Sequence, residues 1–404
     1  MSAGERHVIV GAGQAGGWAA IAMRQAGFTG KILLIGDEPL RPYERPPLSK
    51  GWLTGVEEPE IPFLHDPSRY DGIELLTGTR VEAILSKEQR LMLADNSLVP
   101  YDRLLLATGG RARPLSVPGG GHAHLLRTVD DARALRRRFA EKPRLVCIGA
   151  GVIGLEIASA AAARGCVVTV VEAAPRPMGR CVTPEVAERI AELHREAGVR
   201  LVFGAAVESV SPQGRGFRVS YGGEAMDTDL VVAGIGMDRG LSLAHEAGIL
   251  TDGGIRVDAF GRTSVANVYA AGDVAAFYHP LFGRILRLES WRHAQNHGIA
   301  VGRAMSSVEE PYVDIPWFWS DQHGQNLQVA GLPDQAAQTI FRDTSGGYTA
   351  VHLDGNDVVV AVAALNNARD IRAGTNLIKS SRPVDRALLE RVDLPLQQIA
   401  KAIC

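Results

Sequence analysis

The stretch His7-Val8-Ile9-Val10-Gly11-Ala12-Gly13-Gln14-Ala15-Gly16 decides the fold of this chain. Its short β-branched beginning predicts a buried parallel strand, and residues 17–25 have the composition of a helix. The next apolar run, Lys31–Ile35, ends at Gly36-Asp37. A strand, a glycine turn, a helix, a second strand and a terminal acid together predict a βαβ unit that binds a dinucleotide.

Each glycine of this turn has a separate physical role. Gly11 permits the tight turn, Gly13 lets the backbone approach a pyrophosphate, and Gly16 lets the helix pack on the strand. The pyrophosphate then meets the positive end of the helix, and Asp37 can accept hydrogen bonds from ribose hydroxyls. A glycine-rich turn alone is weak evidence, so the prediction depends on the strand, the helix and the acid around it.

The same pattern occurs a second time, 138 residues further along the chain. Residues 144–148 form an apolar run, Gly149, Gly151 and Gly154 form the turn, and a second run ends at Glu172. The acid follows the first glycine by 26 residues in the first copy and by 23 in the second. Two dinucleotide sites in one chain indicate two cofactors that exchange electrons, a nicotinamide carrier and a flavin.

The acid of the second copy bears on which nicotinamide cofactor binds. A carboxylate at Glu172 accepts from a ribose 2′-hydroxyl and repels a 2′-phosphate, which favours NADH over NADPH. Arg176 lies close enough in sequence to leave the strictness of that preference open.

Glycine-terminated runs and a change of pattern set the domain boundaries. Apolar runs close at Thr108-Gly109, at Gly234-Ile235-Gly236 and at Gly272-Asp273, whereas beyond residue 316 the runs are spaced like antiparallel strands and lead into a helical region within 383–403. We predict an α/β fold of two Rossmann-type domains and a C-terminal α+β domain. The boundaries are 1–112 with 241–316 for a split FAD domain, 113–240 for an NAD domain and 317–404 for the C-terminal domain.

Composition excludes several classes of protein. The 404 residues include 43 Lys and Arg against 45 Asp and Glu, so no net positive charge favours nucleic acid or an anionic membrane. The N-terminus does not have the order of a signal peptide, and apolar stretches are short of the ~20 residues of a membrane span. Four scattered cysteines form no metal or redox pair, and Cys147 and Cys166 lie in apolar runs typical of buried, inert thiols. We expect a cytoplasmic protein, with a monomer favoured.

Several motifs together resemble one family, the oxygenase-coupled NADH-dependent ferredoxin reductases. They are Gly11–Gly16, Arg45-Pro46-Pro47-Leu48-Ser49-Lys50, Ala107-Thr108-Gly109, Gly149–Glu156, Ala271-Gly272-Asp273 and Trp317-Phe318-Trp319-Ser320-Asp321-Gln322. The resemblance covers nearly the whole chain. It implies a glutathione-reductase-like fold and electron transfer from NADH through FAD to a [2Fe-2S] ferredoxin, which serves a cytochrome P450 or a ring-hydroxylating dioxygenase.

The resemblance also implies positions for the cofactors. At FAD it puts Gly11, Gly13, Ala15, Gly16, Asp37, Arg45, Lys50, the Val81 backbone, Ala107, Thr108, Gly109, Arg127, Gly272, Asp273, Trp291 and Trp319. At the nicotinamide nucleotide it puts Gly149, Gly151, Ile153, Gly154, Glu156, Glu172 and Gly236. Asp273 would bind the ribityl chain, and Lys50 would lie beside flavin N5. We hypothesise that Lys50 stabilises negative charge on the flavin and that Glu156 offsets the lysine; a surface ion pair is the alternative.

Other interpretations stay open. A rubredoxin or nitrite-linked reductase has the same fold, and so does an NADH-responsive flavoprotein without a catalytic role. His293 and His297 are four residues apart on a predicted helix, but helix packing is favoured over metal binding. The basic run from Arg133 to Arg138 is either a solvated helix face or a docking surface for an acidic ferredoxin. Trp317-Phe318-Trp319 fits a plain core or flavin packing equally well.

Overall fold

The computed structural model describes residues 4–344 and 347–404, which form two units, each built on a parallel sheet. Unit 1 contains the residues up to Glu44, Ile61–Arg111 and Asp238–Asp314. Unit 2 contains Arg45–Glu60, Ala112–Met237 and Ile315–Cys404. The short segment Arg45–Glu60 therefore belongs to unit 2, although its neighbours in the chain on both sides belong to unit 1.

The α-helices of the described residues are numbered in chain order. They are α1 Gln14–Gln25, α2 Gly51–Thr54, α3 Val129–Phe139, α4 Val152–Ala163, α5 Pro184–Glu196, α6 Ser242–Glu246, α7 Trp291–Met305, α8 Ala368–Ser380, α9 Arg386–Glu390 and α10 Leu396–Ile403. Short 3₁₀ turns occur at Pro46–Ser49, Pro67–Tyr70, Gly120–His122, Gly272–Val274 and Pro333–Gln335.

The strands are numbered in the same way. They are β1 Arg6–Val10, β2 Lys31–Ile35, β3 Ile73–Leu76, β4 Val81–Leu85, β5 Arg90–Leu93, β6 Leu98–Pro100, β7 Arg103–Leu106, β8 Arg111–Ala112, β9 Arg144–Ile148, β10 Val167–Glu172, β11 Arg200–Phe203, β12 Val207–Gln213, β13 Gly216–Tyr221, β14 Glu224–Thr228, β15 Leu230–Ala233, β16 Met237–Asp238, β17 Ile255–Val257, β18 Val268–Ala270, β19 Ala275–His279, β20 Arg284–Leu286, β21 Trp317–Gln322, β22 Gln325–Gly331, β23 Gln338–Thr344, β24 Gly347–Leu353 and β25 Val359–Leu365.

The parallel sheet of unit 1 has the strand order β18-β7-β1-β2-β3. Ile9 at its centre pairs with Leu34 on one side and Leu105 on the other, and all three side chains are buried. Strands covered on both faces carry continuous apolar runs, which is why β1 and β2 contain few polar residues. Smaller sheets, β4-β5-β6 and β17-β19-β20, complete the unit.

Helices α1 and α7 pack unusually closely in unit 1. A Cβ atom at Gly298 would lie 2.4 Å from the carbonyl oxygen of Ala15, and one at Gly302 would lie 2.5 Å from that of Ala19. The two glycines are four residues apart and therefore share one face of α7. The position of α7, and of Trp291 at its beginning, is consequently fixed against the helix that follows the first glycine turn.

Unit 2 contains a parallel sheet and two antiparallel sheets. The parallel sheet has the order β11-β10-β9-β15, with Val146 of β9 between Thr169 and Val231. The C-terminal sheet has the order β21-β22-β25-β24-β23, and α8 packs on it where Gly374 would place a Cβ atom 2.4 Å from Val362. Strands β12-β13-β14 form the third sheet.

The predicted elements of both βαβ units are present. Strands Lys31–Ile35 and Arg144–Ile148 have the predicted bounds, whereas α1 begins at Gln14, before the predicted residue 17. The mixed α/β class and the antiparallel C-terminal part are confirmed, and α8 is a helix that the sequence pattern did not indicate. The division into three domains stays a prediction. Within the described residues, every helix is too short or too polar to cross a bilayer.

Candidate functional site

The first glycine turn leaves open space in front of α1. Gly11 has a φ of +113°, and a Cβ atom there would lie 2.2 Å from the carbonyl oxygen of Ala107, so only glycine fits. A Cβ atom at Gly16 would lie 1.9 Å from the carbonyl oxygen of Gly11. In contrast, a Cβ atom at Gly13 would meet no described protein atom within 4 Å. The turn is therefore tight against the protein and open at Gly13.

The N-terminus of α1 suits a pyrophosphate. Gly13 is its N-cap without a side chain to accept the free N–H groups, and the first turn of the helix contains no acid. Unpaired N–H groups and the helix dipole attract a negatively charged group at such an end. This donor set and the open space at Gly13 fit the diphosphate of a dinucleotide.

Other residues predicted at FAD surround the carboxyl ends of the unit 1 strands. Asp37 follows β2, and its carboxylate lies 3.1 Å from the Arg111 guanidinium, both side chains being exposed. Ala107 follows β7 and donates its N–H to the Val10 carbonyl over 2.8 Å, with Thr108 and Gly109 next in the chain. Because parallel strands end at one edge of the sheet, these residues and the turn after β1 share that edge. Val81 is the first residue of β4, two positions after Thr79, which donates its N–H to the Gly36 carbonyl oxygen over 2.8 Å.

A second turn, Ala271-Gly272-Asp273, follows β18 at the same edge of the sheet. Gly272 has a φ of +75° and donates its N–H to Nδ1 of His297 over 3.2 Å. Arg239 donates to the carbonyl oxygen of Asp273 over 2.8 Å. The histidine is wholly buried, and burial lowers its pKa, so it is neutral and free to accept this bond. His297 therefore helps to fix the turn.

Trp291 at the start of α7 lies beside the first residue of α1. Its indole N–H donates to the side-chain amide oxygen of Gln14 over 3.0 Å. This holds in the amide orientation in which the Gln14 oxygen faces the indole N–H groups of Trp18 and Trp291. It also bonds the carboxyl group of Glu44, whose pKa is raised by burial in spite of this hydrogen bond. The predicted FAD residues Ala15, Gly272 and Trp291 thus lie in one region of unit 1, where α1 meets α7.

The second glycine turn, in unit 2, repeats the first. A Cβ atom at Gly154 would lie 2.1 Å from the carbonyl oxygen of Gly149, and α4 begins after Gly151 without a side-chain cap or an acid in its first turn. Ile153 is 43% exposed at this end of the helix. Gly236, with a φ of +112°, follows β15 at the same edge of the sheet. This edge offers a second open helix N-terminus with an apolar side chain beside it.

Glu172 is held by the backbone of that turn. One carboxylate oxygen accepts from the N–H of Ala150 and the other accepts from the N–H of Ala174, each over 2.7 Å. The side chain is half-buried at the end of β10. Each carboxylate oxygen has a further lone pair, which can accept from a ribose hydroxyl.

Lys50 and Glu156 meet in unit 2, although 106 residues separate them in the chain. The Nζ atom of Lys50 lies 2.9 Å from Oε2 of Glu156 and 5.4 Å from the centre of the Trp319 ring. The lysine side chain is 18% exposed and that of the glutamate only 1% exposed. This is not the surface ion pair that was the alternative, because one charge is almost entirely removed from water.

The segment that carries Lys50 is anchored at several points. Two prolines begin the 3₁₀ turn Pro46–Ser49 and stiffen the backbone before the lysine. Arg45 donates to the carbonyl oxygen of Arg127 over 2.7 Å. Arg136 donates to that of Trp52 over 2.8 Å, and Arg164 donates to that of Gly55. Arg136 is buried, so the basic run of α3 is not simply a solvated face.

Two serines that the sequence analysis did not assign also bind Glu156. Ser320 donates to Oε1 over 2.7 Å, and Ser49 donates to Oε2. Both lie inside motifs quoted for the resemblance, and alternation along β21 puts Ser320 and Gln322 on the face opposite to Trp319. The alternation separates a polar face from an aromatic face, but it does not indicate that Ser320 meets Glu156. Of the aromatic run, Trp319 lies beside Lys50 of the pair.

The remaining candidates pack in the interior. Cys147 and Cys166 are buried, as predicted, and burial raises the pKa of the Cys147 thiol to about 12. All four cysteines of the chain are free. His293 and His297 are buried on α7, where His293 stacks on Phe277.

Comparisons with known proteins agree with this geometry. Residues 5–298 match the family described as pyridine nucleotide-disulphide oxidoreductase, and residues 317–400 match the one described as reductase C-terminal. The ferredoxin–NAD(+) reductase component of an anthranilate 1,2-dioxygenase system from Burkholderia cepacia is 39% identical, over 94% of this chain and 95% of its own. Putidaredoxin reductase of Pseudomonas putida is 36% identical, over 100% and 98%. The covalent complex of putidaredoxin reductase with putidaredoxin contains a chain that superposes with a TM-score of 0.95, at 35% identity, covering 100% of this chain and 99% of that one.

Proposed function

The chain belongs to the pyridine nucleotide-disulphide oxidoreductase family, and from that premise we propose that it is an NADH-dependent ferredoxin reductase. It takes electrons from NADH, passes them through FAD and delivers them to a [2Fe-2S] ferredoxin that serves a cytochrome P450 or a ring-hydroxylating dioxygenase. The names of the relatives support this activity, because they are reductase components of dioxygenase systems and putidaredoxin reductase. The alignment with these relatives covers nearly the whole of both chains, which supports the same activity for the whole protein.

One observation carries the proposal: Lys50 lies against the buried Glu156 and over Trp319 in the unit that holds the second glycine turn. When bound, FAD accepts a hydride from NADH and releases electrons singly. The residues at the two helix N-termini would hold the diphosphates of the two cofactors, and Glu172 would accept from a ribose hydroxyl. Lys50 would supply positive charge where negative charge develops, and Glu156 would fix the direction of that charge.

The thiols support a route without a protein disulfide. Flavin-dependent disulfide reductases need an accessible cysteine pair near the cofactor. In this protein Cys147 and Cys166 are buried, and burial raises the pKa of both thiols. These two thiols would therefore supply no disulfide relay between bound FAD and the ferredoxin. Free thiols also support a reducing compartment, and we infer that the protein is cytoplasmic.

The test uses the purified holoprotein, its FAD content and three acceptors. We expect NADH to reduce the bound FAD and the protein to reduce a [2Fe-2S] ferredoxin far faster than rubredoxin or nitrite. We also expect NADPH to be a poorer donor than NADH. Faster turnover with rubredoxin or nitrite would assign the other reductase class. Slow turnover with all three, together with a long-lived reduced protein–NAD⁺ complex, would assign the non-catalytic class.

A further inference from the structure

A continuous chain of hydrogen bonds leads from the Glu156 carboxylate to a histidine of another helix. Ser320 Oγ lies 2.7 Å from Glu156 Oε1, and Gln322 Nε2 lies 2.8 Å from Ser320 Oγ. The other atom of the same amide, Gln322 Oε1, lies 2.8 Å from His194 Nε2. The chain ends where His194 Nδ1 lies 3.0 Å from His323 Nε2.

The donor and acceptor groups of these residues fix the direction of every hydrogen bond in the series. The Glu156 carboxylate only accepts, so the single proton of the Ser320 hydroxyl points to it, and Ser320 must accept from Gln322. The amide oxygen of Gln322 then faces His194, which has to donate from Nε2. Burial lowers the pKa of His194 to about 4, so the ring is neutral and its Nδ1 accepts from His323. Each donor therefore points towards Glu156.

The chain is shielded from water and joins three elements. Glu156 lies on α4, Ser320 and Gln322 lie on β21, and His194 lies near the end of α5; all four side chains are buried. His323, directly after β21, is half-buried, and its backbone N–H donates to Ser159 Oγ of α4 over 2.8 Å. Because water cannot replace a lost partner inside, each bond depends on the next one.

His194 decides which way the Gln322 amide faces. The two ends of a glutamine amide have nearly the same shape, and only their hydrogen-bond partners distinguish them. Without an N–H donor at residue 194, the amide can turn over and present its oxygen to Ser320. The serine hydroxyl would then donate to Gln322, and Glu156 Oε1 would lose its donor.

We propose that His194 is a positioning residue that, through Gln322 and Ser320, holds the Glu156 carboxylate in place for Lys50. His194 touches neither reacting atoms nor Lys50, so it acts only through the residues between them. The inference rests on the NADH half of the proposed function, in which Lys50 and Glu156 serve the reduction of bound FAD. It adds residues of α5 and β21 to the machinery of that step.

The experiment compares two substitutions of His194 in the holoprotein. His194→Leu removes the donor, whereas His194→Gln can still donate from its side-chain nitrogen. His352→Leu is the matched control, because His352 is also buried in unit 2 and its ring bonds Thr339, not Gln322 or Ser320. Stopped-flow reduction of bound FAD by NADH, without ferredoxin, gives the rate. Thermal unfolding gives the stability of each variant.

We expect His194→Leu to slow FAD reduction about fivefold to tenfold and His194→Gln to restore most of the rate. His352→Leu should lower the thermal midpoint without changing the rate. His194→Leu combined with Ser320→Ala should be no slower than Ser320→Ala alone, because both break the same path. Equal rates for the leucine and glutamine variants, or additive losses in the double variant, would overturn the proposal.

Nitrogen-15 NMR of labelled histidines gives a readout independent of turnover. We expect His194 at neutral pH to be protonated at Nε2 and unprotonated at Nδ1; the opposite tautomer would contradict the chain. Wild-type protein that reduces its FAD with NADH but does not reduce ferredoxin would refute the proposed function and leave this inference measurable. Normal ferredoxin turnover with no effect of His194→Leu would refute the inference alone.

Discussion

The Nζ atom of Lys50 lies 2.9 Å from Oε2 of Glu156, on a carboxylate whose side chain is 1% exposed. A buried charge of this kind is tolerated only with a partner and further hydrogen bonds. Glu156 has both, since Ser49 and Ser320 donate to it as well. The pair is therefore a fixed arrangement of charge, and removing either partner leaves the other uncompensated.

Replacing Lys50 by methionine tests the role of its charge. The side chain keeps its approximate length but loses the cation, so negative charge on bound FAD is no longer offset. We expect a lower midpoint potential for FAD and at least tenfold slower reduction by NADH. Lys87→Met, at an exposed lysine of a surface turn, is the control and should change neither value. If Lys50→Met changes neither the midpoint potential of FAD nor its rate of reduction by NADH, the Lys50–Glu156 pair has no role in the redox step.

Alanine at Gly13 and at Gly16 should separate binding from folding. At Gly16 the new methyl group would lie 1.9 Å from a backbone oxygen, and we expect a loss of about 2 kcal/mol or more in the free energy of unfolding. At Gly13 it would meet no described atom within 4 Å. Gly13→Ala should therefore fold normally but bind FAD at least tenfold more weakly. Calorimetry and FAD titration measure the two effects, and normal FAD affinity in Gly13→Ala would refute the assignment of this turn.

Replacing Glu172 by alanine tests the choice of nucleotide. The change removes the carboxylate that would accept from a ribose hydroxyl and repel a 2′-phosphate. We expect the KM for NADH to rise about tenfold and the preference for NADH over NADPH to shrink. Steady-state kinetics with both nucleotides provide the measurement, with Glu192→Ala on the exposed face of α5 as control. An unchanged preference for NADH over NADPH would show that Glu172 does not contact the ribose 2′-hydroxyl.

Buried histidines should make the protein sensitive to mild acid. Burial lowers the pKa of His194, His293 and His352 from 6.5 to about 4 in the folded state. Between these values the unfolded chain binds more protons, so stability is full above about pH 6.5 and falls as the pH approaches 4. We expect the thermal midpoint to drop between about pH 7 and pH 5, and less steeply in His352→Gln. Equal midpoints at both pH values would contradict this linkage.

The sequence was sufficient for the parts of the fold that depend on neighbouring residues. Gly16 is required by a clash with Gly11 inside the βαβ unit, and the strands beside the turn are continuous apolar runs. The motif also identified Gly11, although its close neighbour, Ala107, lies outside the unit. The acids Asp37 and Glu172 were recognisable because their distance from each turn is set by one helix and one strand.

Contacts between distant segments could not be read in this way. Ser320 lies 164 residues from Glu156, and His194 lies 128 residues from Gln322. The sequence carries no signal for which hydroxyl or imidazole will face a given carboxylate, because that depends on how β21 and α5 pack. Even the close contact of Gly298 with α1 appears in the sequence only as small residues four positions apart.

The chain leaves unit 1 at Glu44, contributes Arg45–Glu60 to unit 2 and then returns. A fragment containing only residues 112–237 would thus keep Glu156 but lose Lys50 and both serine hydroxyls, Ser49 and Ser320, that bind it. Such a fragment would contain the Glu156 carboxylate without its partners, and free lysine added to the solution would not replace them. A minimal version of unit 2 has to include residues 45–60 and 315–404 as well, for instance joined to 112–237 through designed linkers.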